Sequence, residues 1–84
     1  MEVSGKVVVV GQTESVGQNG FTKRLLVVET EGQHPQKLPI DFVKDNTSLL
    51  DNIAIGQAVK VQINLRGSEH NGRWYLQAQG WRIE

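Results

Sequence analysis

Two groups of residues in this chain have types and spacings that bear on chemistry: scattered acids and imidazoles, and a set of cations interleaved with aromatics. Glu29 with Glu31, and Asp41 with Asp45, are spaced as carboxylate pairs, and His34 and His70 are the two imidazoles. Acid-base or metal chemistry needs such groups to converge on a nucleophile, a phosphate cradle or a ligand spacing such as HxH or HExxH. The histidines instead fall in separate turn segments, cysteine is absent, and Gly17-Gln18-Asn19-Gly20 leads into a strand pattern rather than a helix. The expectation is a protein that is not an enzyme, with no cofactor and no metal.

The second group is more coherent. Lys23 and Arg24 open one apolar stretch, Lys37 opens the next, Arg66 and Arg73 flank the Asn71-Gly72 pair, and Lys60 lies on a polar strand face. Phosphates along a strand need cations set out as a track, and bases stack on exposed rings at about 1–3 kcal/mol per base whatever the base. The aromatics are two Phe, one Tyr and two Trp. Phe42 alternates with Leu38 and Ile40, and Trp74 with Leu76 and Ala78, which puts both in the expected core. Tyr75 shares the other face with Arg73, Gln77 and Gln79, and Phe21 stands at the exit of the first loop. Trp81 is open: strict alternation sets it outside with Tyr75, whereas a bulge at Gly80 turns it inward beside Ile83. The candidate nucleic-acid-binding residues are therefore Phe21, Lys23, Lys37, Arg66, His70, Arg73 and Tyr75. Against them stands a plain solvated strand face, since Glu29, Glu31, Asp41 and Glu69 dilute the positive field and the net charge is zero.

The elements that position these residues follow from period and turn chemistry. Val3 to Val10 is β-branched and reads as a first strand, with Gly5 marking a bulge or a close approach of backbones. Gly11 to Gly20 is a polar, Gly-rich loop. Phe21 to Thr30 alternates Leu26 and Val28 against Lys23, Leu25, Val27 and Glu29, and Lys37 to Val43 forms a third strand whose Pro39 requires an edge or a bulge. Asn46 to Ile53 is a short helix, capped by Asn46 or Thr47 and apolar at Leu49, Leu50 and Ile53. Val59, Val61, Ile63 and Leu65 alternate with polar residues in a fourth strand, and Asn71-Gly72 is the signature of a type I′ hairpin returning through Arg73 to Ile83.

Three strands, a short helix and two strands are the order of an OB-fold, an all-β, five-stranded Greek-key barrel; an SH3-like barrel is the rival. In an OB-fold the loops Gly11 to Gly20 and Gly67 to Gly72 bound a groove, although loops are also polar simply because they are solvated. The 84 residues make one domain, 1–84. The start of the chain has neither a signal-peptide pattern nor an apolar run of membrane-spanning length, so a cytoplasmic protein is expected. Val8, Val10, Leu25 and Val27 would set apolar residues of two adjacent strands on the face turned from the core. Such a patch is rarely left bare; pairing of two or more barrels through the first strand or a coating of bases would cover it, and a homo-oligomer is the expectation.

Several stretches also carry a resemblance: Met1-Glu2-Val3-Ser4-Gly5-Lys6, Glu29-Thr30, His34-Pro35-Gln36-Lys37, Glu69-His70-Asn71-Gly72-Arg73-Trp74-Tyr75 and Gly80-Trp81-Arg82-Ile83-Glu84. Together they resemble a family of small proteins of bacteria, chiefly Bacteroidetes, and their phages, described as a domain of unknown function and similar to single-stranded DNA-binding OB-folds. His70 and Gln36 stand where the resemblance implies Tyr and Lys. The sequence stops at Glu84 without the acidic tail of bacterial single-stranded DNA-binding proteins, which makes a tail-less, phage-like or accessory protein the expected comparison. The resulting expectation is binding of single-stranded nucleic acid, DNA with RNA as the other option, with little sequence preference, in replication, recombination or repair. The alternative is an OB-fold protein-interaction module without nucleic-acid binding.

Overall fold

A computed structural model describes residues 1–17 and 20–84. Its strands are β1 (Glu2–Val10), β2 (Glu14–Val16), β3 (Phe21–Thr30), β4 (Lys37–Val43), β5 (Ala58–His70) and β6 (Arg73–Ile83), with a 3₁₀ helix at Lys44–Leu50 between β4 and β5. Five of these strands close a ring in the order β1-β3-β4-β6-β5 and back to β1. All the ring pairings are antiparallel except β4 with β6, which run parallel through Asp41 and Gln79. This closure, with the helix between the third and fourth ring strands, is the OB-fold; the SH3-like rival is set aside.

The ring closes through β1, whose first half pairs with β5 and second half with β3. Gly5 is registered with both neighbours, Val59 and Thr30, and a Cβ there would collide with the Glu29 carbonyl, so this seam requires glycine. Pro39, which has no amide to donate, faces Val27 and lies before the β4–β6 contact at Asp41. The inward residues Val3, Val7, Leu26, Val28, Ile40, Phe42, Val59, Val61 and Ile63 form the core, closed by Leu50 of the 3₁₀ helix.

Several expectations are corrected. The register of β1 on β3 slips between Val7 and Val9, so Val8 is an extra residue and the alternation reverses. Val10 therefore packs against the core instead of facing outward, and Val9 takes its place on the outer side, across from Val27. The segment Gly11 to Gly20 is not all loop: Glu14–Val16 pairs with Phe21–Lys23, while Gln18 and Asn19 lie outside the described residues. The helix begins at Lys44 rather than at an Asn46 or Thr47 cap, because it leaves β4 directly. Thr47 and Ser48 hydroxyls donate to the carbonyls of Lys44 and Asp45, three residues back, which suits the tight 3₁₀ turn. Leu50 is buried and Ile53 packs on the core, but Leu49 stays exposed.

Trp74 is the largest correction, being 81% exposed where core was expected. The β5–β6 hairpin runs past the end of the barrel, and every residue of β5 from Asn64 to His70 is exposed. The alternation continues into the hairpin, but its apolar side is flanked only at the base, where Leu65, Leu76 and Ala78 share a hollow with Met1, Leu38 and Pro39. Its tip is as expected: Asn71 and Gly72 have φ of 53° and 79°, and the Gly72 amide donates to Glu69 at 2.9 Å.

Candidate nucleic-acid interface

Three connected hollows run along one side of the molecule. The first, about 600 Å³, lies by Gly20, Phe21, Thr22, Lys44 and Asp45. The second, about 500 Å³, shares Phe21, Lys44 and Asp45 with it and extends past Asn64 and Trp81 to Arg66. The third, about 400 Å³, begins at Arg66 and continues along Ser68, Tyr75 and Gln77 onto the hairpin. Phe21 lines the first and second sections, Trp81 the second and Tyr75 the third, with Lys44 and Arg66 at the junctions.

Local backbone features place these side chains. Lys44 has φ of 54°, unusual for a side chain other than glycine, and this turn carries its ammonium 5.9 Å from the centre of the Phe21 ring. Trp81 is the extra residue of a bulge, since β6 jumps from Arg82 opposite Gln62 to Gly80 opposite Ile63. The bulge anticipated at Gly80 thus exists, yet Trp81 remains 47% exposed and lines the hollow. Gly80 itself is buried against the Phe42 ring, where a Cβ would sit 2.3 Å from the ring's Cζ. The bulge and the missing side chain together let β6 press onto the core while its next residue turns out.

Of the residues marked in the sequence, Phe21, Arg66 and Tyr75 line the hollows. His70 meets the Tyr75 ring edge-on at 6.4 Å, and Arg73 is registered opposite His70 at the hairpin tip. Lys23 stands beside Val43 of the second hollow, with Glu14 on its other side. Lys37 is not brought to them: it faces Glu29 at the far end of β4, about 20 Å from Val43 at ~3.3 Å per residue. Arg24 is committed elsewhere, donating to the Gly11 carbonyl at 2.8 Å and to Asp51 at 2.7 Å, a strut between β3 and the segment after the helix.

Lys44 and Trp81 also line the hollows, although neither is among the candidates that the sequence marks. No short-range signal announces a left-handed lysine, and the side that Trp81 takes depends on the bulge register of β6 on β5. Polar residues beside the track differ in how far they are engaged. Gln77 donates to Asp41 at 2.7 Å and Gln79 to Gln77 at 3.2 Å. By contrast, among the described residues the side chains of Asp45, Asn46, Asn64 and Arg66 make no hydrogen bond or ion pair. No group of three or more His, Cys, Asp and Glu that would hold a metal occurs among the described residues. No helix is long and apolar enough to cross a membrane there either.

The outer face of β1 and β3 carries Val9 and Leu25, both exposed, with Val27 half-buried beside them and Val8 half-buried at the bulge. Leu25 and Val27 keep their outward place, so an apolar patch is present although its β1 member is Val9.

The sequence matches, over residues 2–84, the family described as a domain of unknown function, DUF3127. The chain belongs to that family. No curated protein matches it. Among solved structures, this DUF3127 member is similar to the mitochondrial single-stranded DNA-binding protein Rim1 of S. cerevisiae, with a TM-score of 0.83 at 13% identity, covering 100% of this chain and 90% of that one. It is similar to the SSB domain of a Synechococcus sp. protein, with a TM-score of 0.78 at 19% identity, covering 99% and 90%. It is also similar to the N-terminal domain of PriB from Thermoanaerobacter tencongensis, described as dimeric, with a TM-score of 0.71 at 20% identity, covering 100% and 91%. At these identities the likeness establishes the fold.

Proposed function

We propose that this DUF3127 protein binds single-stranded nucleic acid, DNA in the first place, along the track of three hollows and with little overall dependence on sequence. The observation that carries the proposal is the succession of Phe21, Trp81 and Tyr75 along one continuous groove, with Lys44 and Arg66 between them. Rings spaced along a strand accept any base, and cations at the junctions meet the phosphates. Lys23, His70 and Arg73 would extend the cationic border, and Lys37 takes no part. The described single-stranded DNA-binding role of Rim1 supports the reading. A place in replication, recombination or repair in the cytoplasm of a bacterial host cell goes with it.

Self-association through Leu25, Val27 and Val9 belongs to the same proposal, because this patch lies on the β1–β3 face, away from the core. Light scattering that returned a monomer at all concentrations would remove that part alone.

The binding experiment is a titration of labelled oligo-dT at about 50 mM and about 200 mM salt. The expected result is saturable binding that weakens with salt and quenches tryptophan fluorescence. Absence of binding at the lower salt would overturn the proposal and favour a protein-interaction module, for which the bare apolar side of the hairpin would be the surface to test.

A further inference from the structure

The middle hollow shares Phe21 and Asp45 with the first and differs from both neighbours in setting two asparagine amides beside that carboxylate. Phe21 and Trp81 supply flat surfaces, but the same space is lined by Asp45, Asn46 and Asn64, whose side chains have no partner among the described residues. Stacking needs rings, and phosphate takes cations or neutral donors such as amides. A carboxylate serves neither purpose, and an acid in a groove for a polyanion opposes binding unless it meets a donor.

The backbone here is also built for position. Of the two non-glycine residues with positive φ among those described, Asn71 is accounted for by the hairpin turn, whereas Lys44 sits in a sequence with no turn requirement of that kind. Its conformation costs on the order of 1–3 kcal/mol, which the surrounding structure must offset, and it carries Lys44-Asp45-Asn46 to the mouth of the hollow. On the opposite wall the bulge turns Trp81 toward the same space.

We propose that this hollow reads the edge of one base and selects guanine. The inference rests on the nucleic-acid reading above and refines it: the track as a whole tolerates any sequence, while this section prefers one base. A carboxylate only accepts hydrogen bonds, and it has two oxygens. Guanine alone among the DNA bases presents two adjacent donors on its Watson–Crick edge, N1–H and the N2 amine, followed by the O6 acceptor. Asp45 accepts from the two donors, and the amide of Asn46 or Asn64 donates to O6. Cytosine and adenine each offer a carboxylate one amine beside acceptors, and thymine offers one N–H between two carbonyls that would face the carboxylate unfavourably. Edge reading of this kind suits single strands, whose bases can leave the stack and enter a pocket.

The test compares oligo-dT with the same oligomer carrying one central guanine, or hypoxanthine, which lacks the N2 amine, at one fixed salt concentration. The expected result is about tenfold tighter binding of the guanine oligomer, in the range of a good bidentate base contact, with hypoxanthine between guanine and thymine. Asp45→Asn should bring the guanine-to-thymine ratio close to one while oligo-dT binding stays at least as strong, because a negative charge has been removed from the groove. The Asp45 carboxylate makes no internal bond among the described residues, so this variant should fold; unchanged circular dichroism would verify it. Oligo-dT binding with a guanine oligomer within twofold of it would overturn the inference and leave the proposed function standing. A guanine preference that survives Asp45→Asn would overturn the assignment to Asp45. Binding of none of the oligomers would overturn both.

Discussion

β5 and β6 each belong to two regions of the molecule, the barrel and the hairpin that projects from it. In the barrel half of β5, paired between β1 and β6, Val59, Val61 and Ile63 alternate with Lys60 and Gln62 and are buried in the core. In the hairpin half, Leu65 faces Ala78, Gly67 faces Leu76 and Glu69 faces Trp74, and this apolar side, half-buried at Ala78, opens toward the tip, with Leu76 74% exposed. An alternating pattern therefore fixes which residues share a face, but burial of that face depends on whether another element covers it. The polar side of the hairpin has a use in the proposed track, through Arg66, Ser68 and Tyr75. Its apolar side meets the rest of the chain at the base, where Leu65, Leu76 and Ala78 share a hollow with Met1, Leu38 and Pro39, and Trp74 beyond them stays exposed.

The comparison is most strongly tested at the junction of Phe42 and Gly80. Phe42→Ala should lower stability by about 3–5 kcal/mol in urea unfolding, as for a buried aromatic removed to a cavity. Gly80→Ala should also destabilise, by about 1–3 kcal/mol, since its methyl would enter the space of the Phe42 ring. Combined in one chain, the two changes should cost less than their sum, because the cavity left by one receives the methyl of the other. Simple additivity would mean that the close approach of β6 to the core is not what holds the bulge.

Next in size is the contrast between the tryptophans. Trp81→Ala should weaken oligo-dT binding by about 1–3 kcal/mol, the range for one stacked base, with little effect on the unfolding midpoint. Trp74→Ala should leave binding nearly unchanged, because Trp74 is on the opposite side of the hairpin from Tyr75 and Arg73. Equal losses in both variants would place the strand across both sides of the hairpin and erase the division. A smaller effect is expected for Arg66→Ala, which should reduce the slope of log affinity against log salt by about 0.7 if the guanidinium meets one phosphate.

The sequence made the barrel legible where local signals were self-sufficient. Val59 to Ile63 announced a half-buried strand, Asn71-Gly72 announced the hairpin, and Gly5 announced a close backbone contact, because each depends on period or on conformations open to particular residues. What was not legible depended on register. Val8 and Trp81 are extra residues in their ladders, and each slip inverts the faces that follow, which moved Val10 inward and left Trp81 on the groove wall. Site residues followed the same division. Among residues that line the hollows, Arg66 and Tyr75 follow from simple alternation and Lys44 from a left-handed turn that no residue type advertises, whereas Lys37 lies apart because a strand face is longer than the hollows.

The smallest expected effect is also the most informative about the hairpin. An exposed tryptophan removed from a monomer should change stability by no more than about 0.5 kcal/mol, so Trp74→Ala should share the wild-type unfolding midpoint. The measurement is thermal unfolding of both proteins over a hundredfold range of concentration. If the apolar side of the hairpin is bare in solution, the two curves coincide at every concentration. If a second copy covers it, the wild-type midpoint rises with concentration and that of Trp74→Ala rises less, because binding to the folded state alone stabilises it by mass action. The Leu25 and Val27 patch gives the control: Leu25→Glu would remove concentration dependence arising on the β1–β3 face while leaving any contribution of Trp74 in place. Only the second pattern would make the hairpin resemble the barrel, with its apolar side covered by another chain instead of by its own.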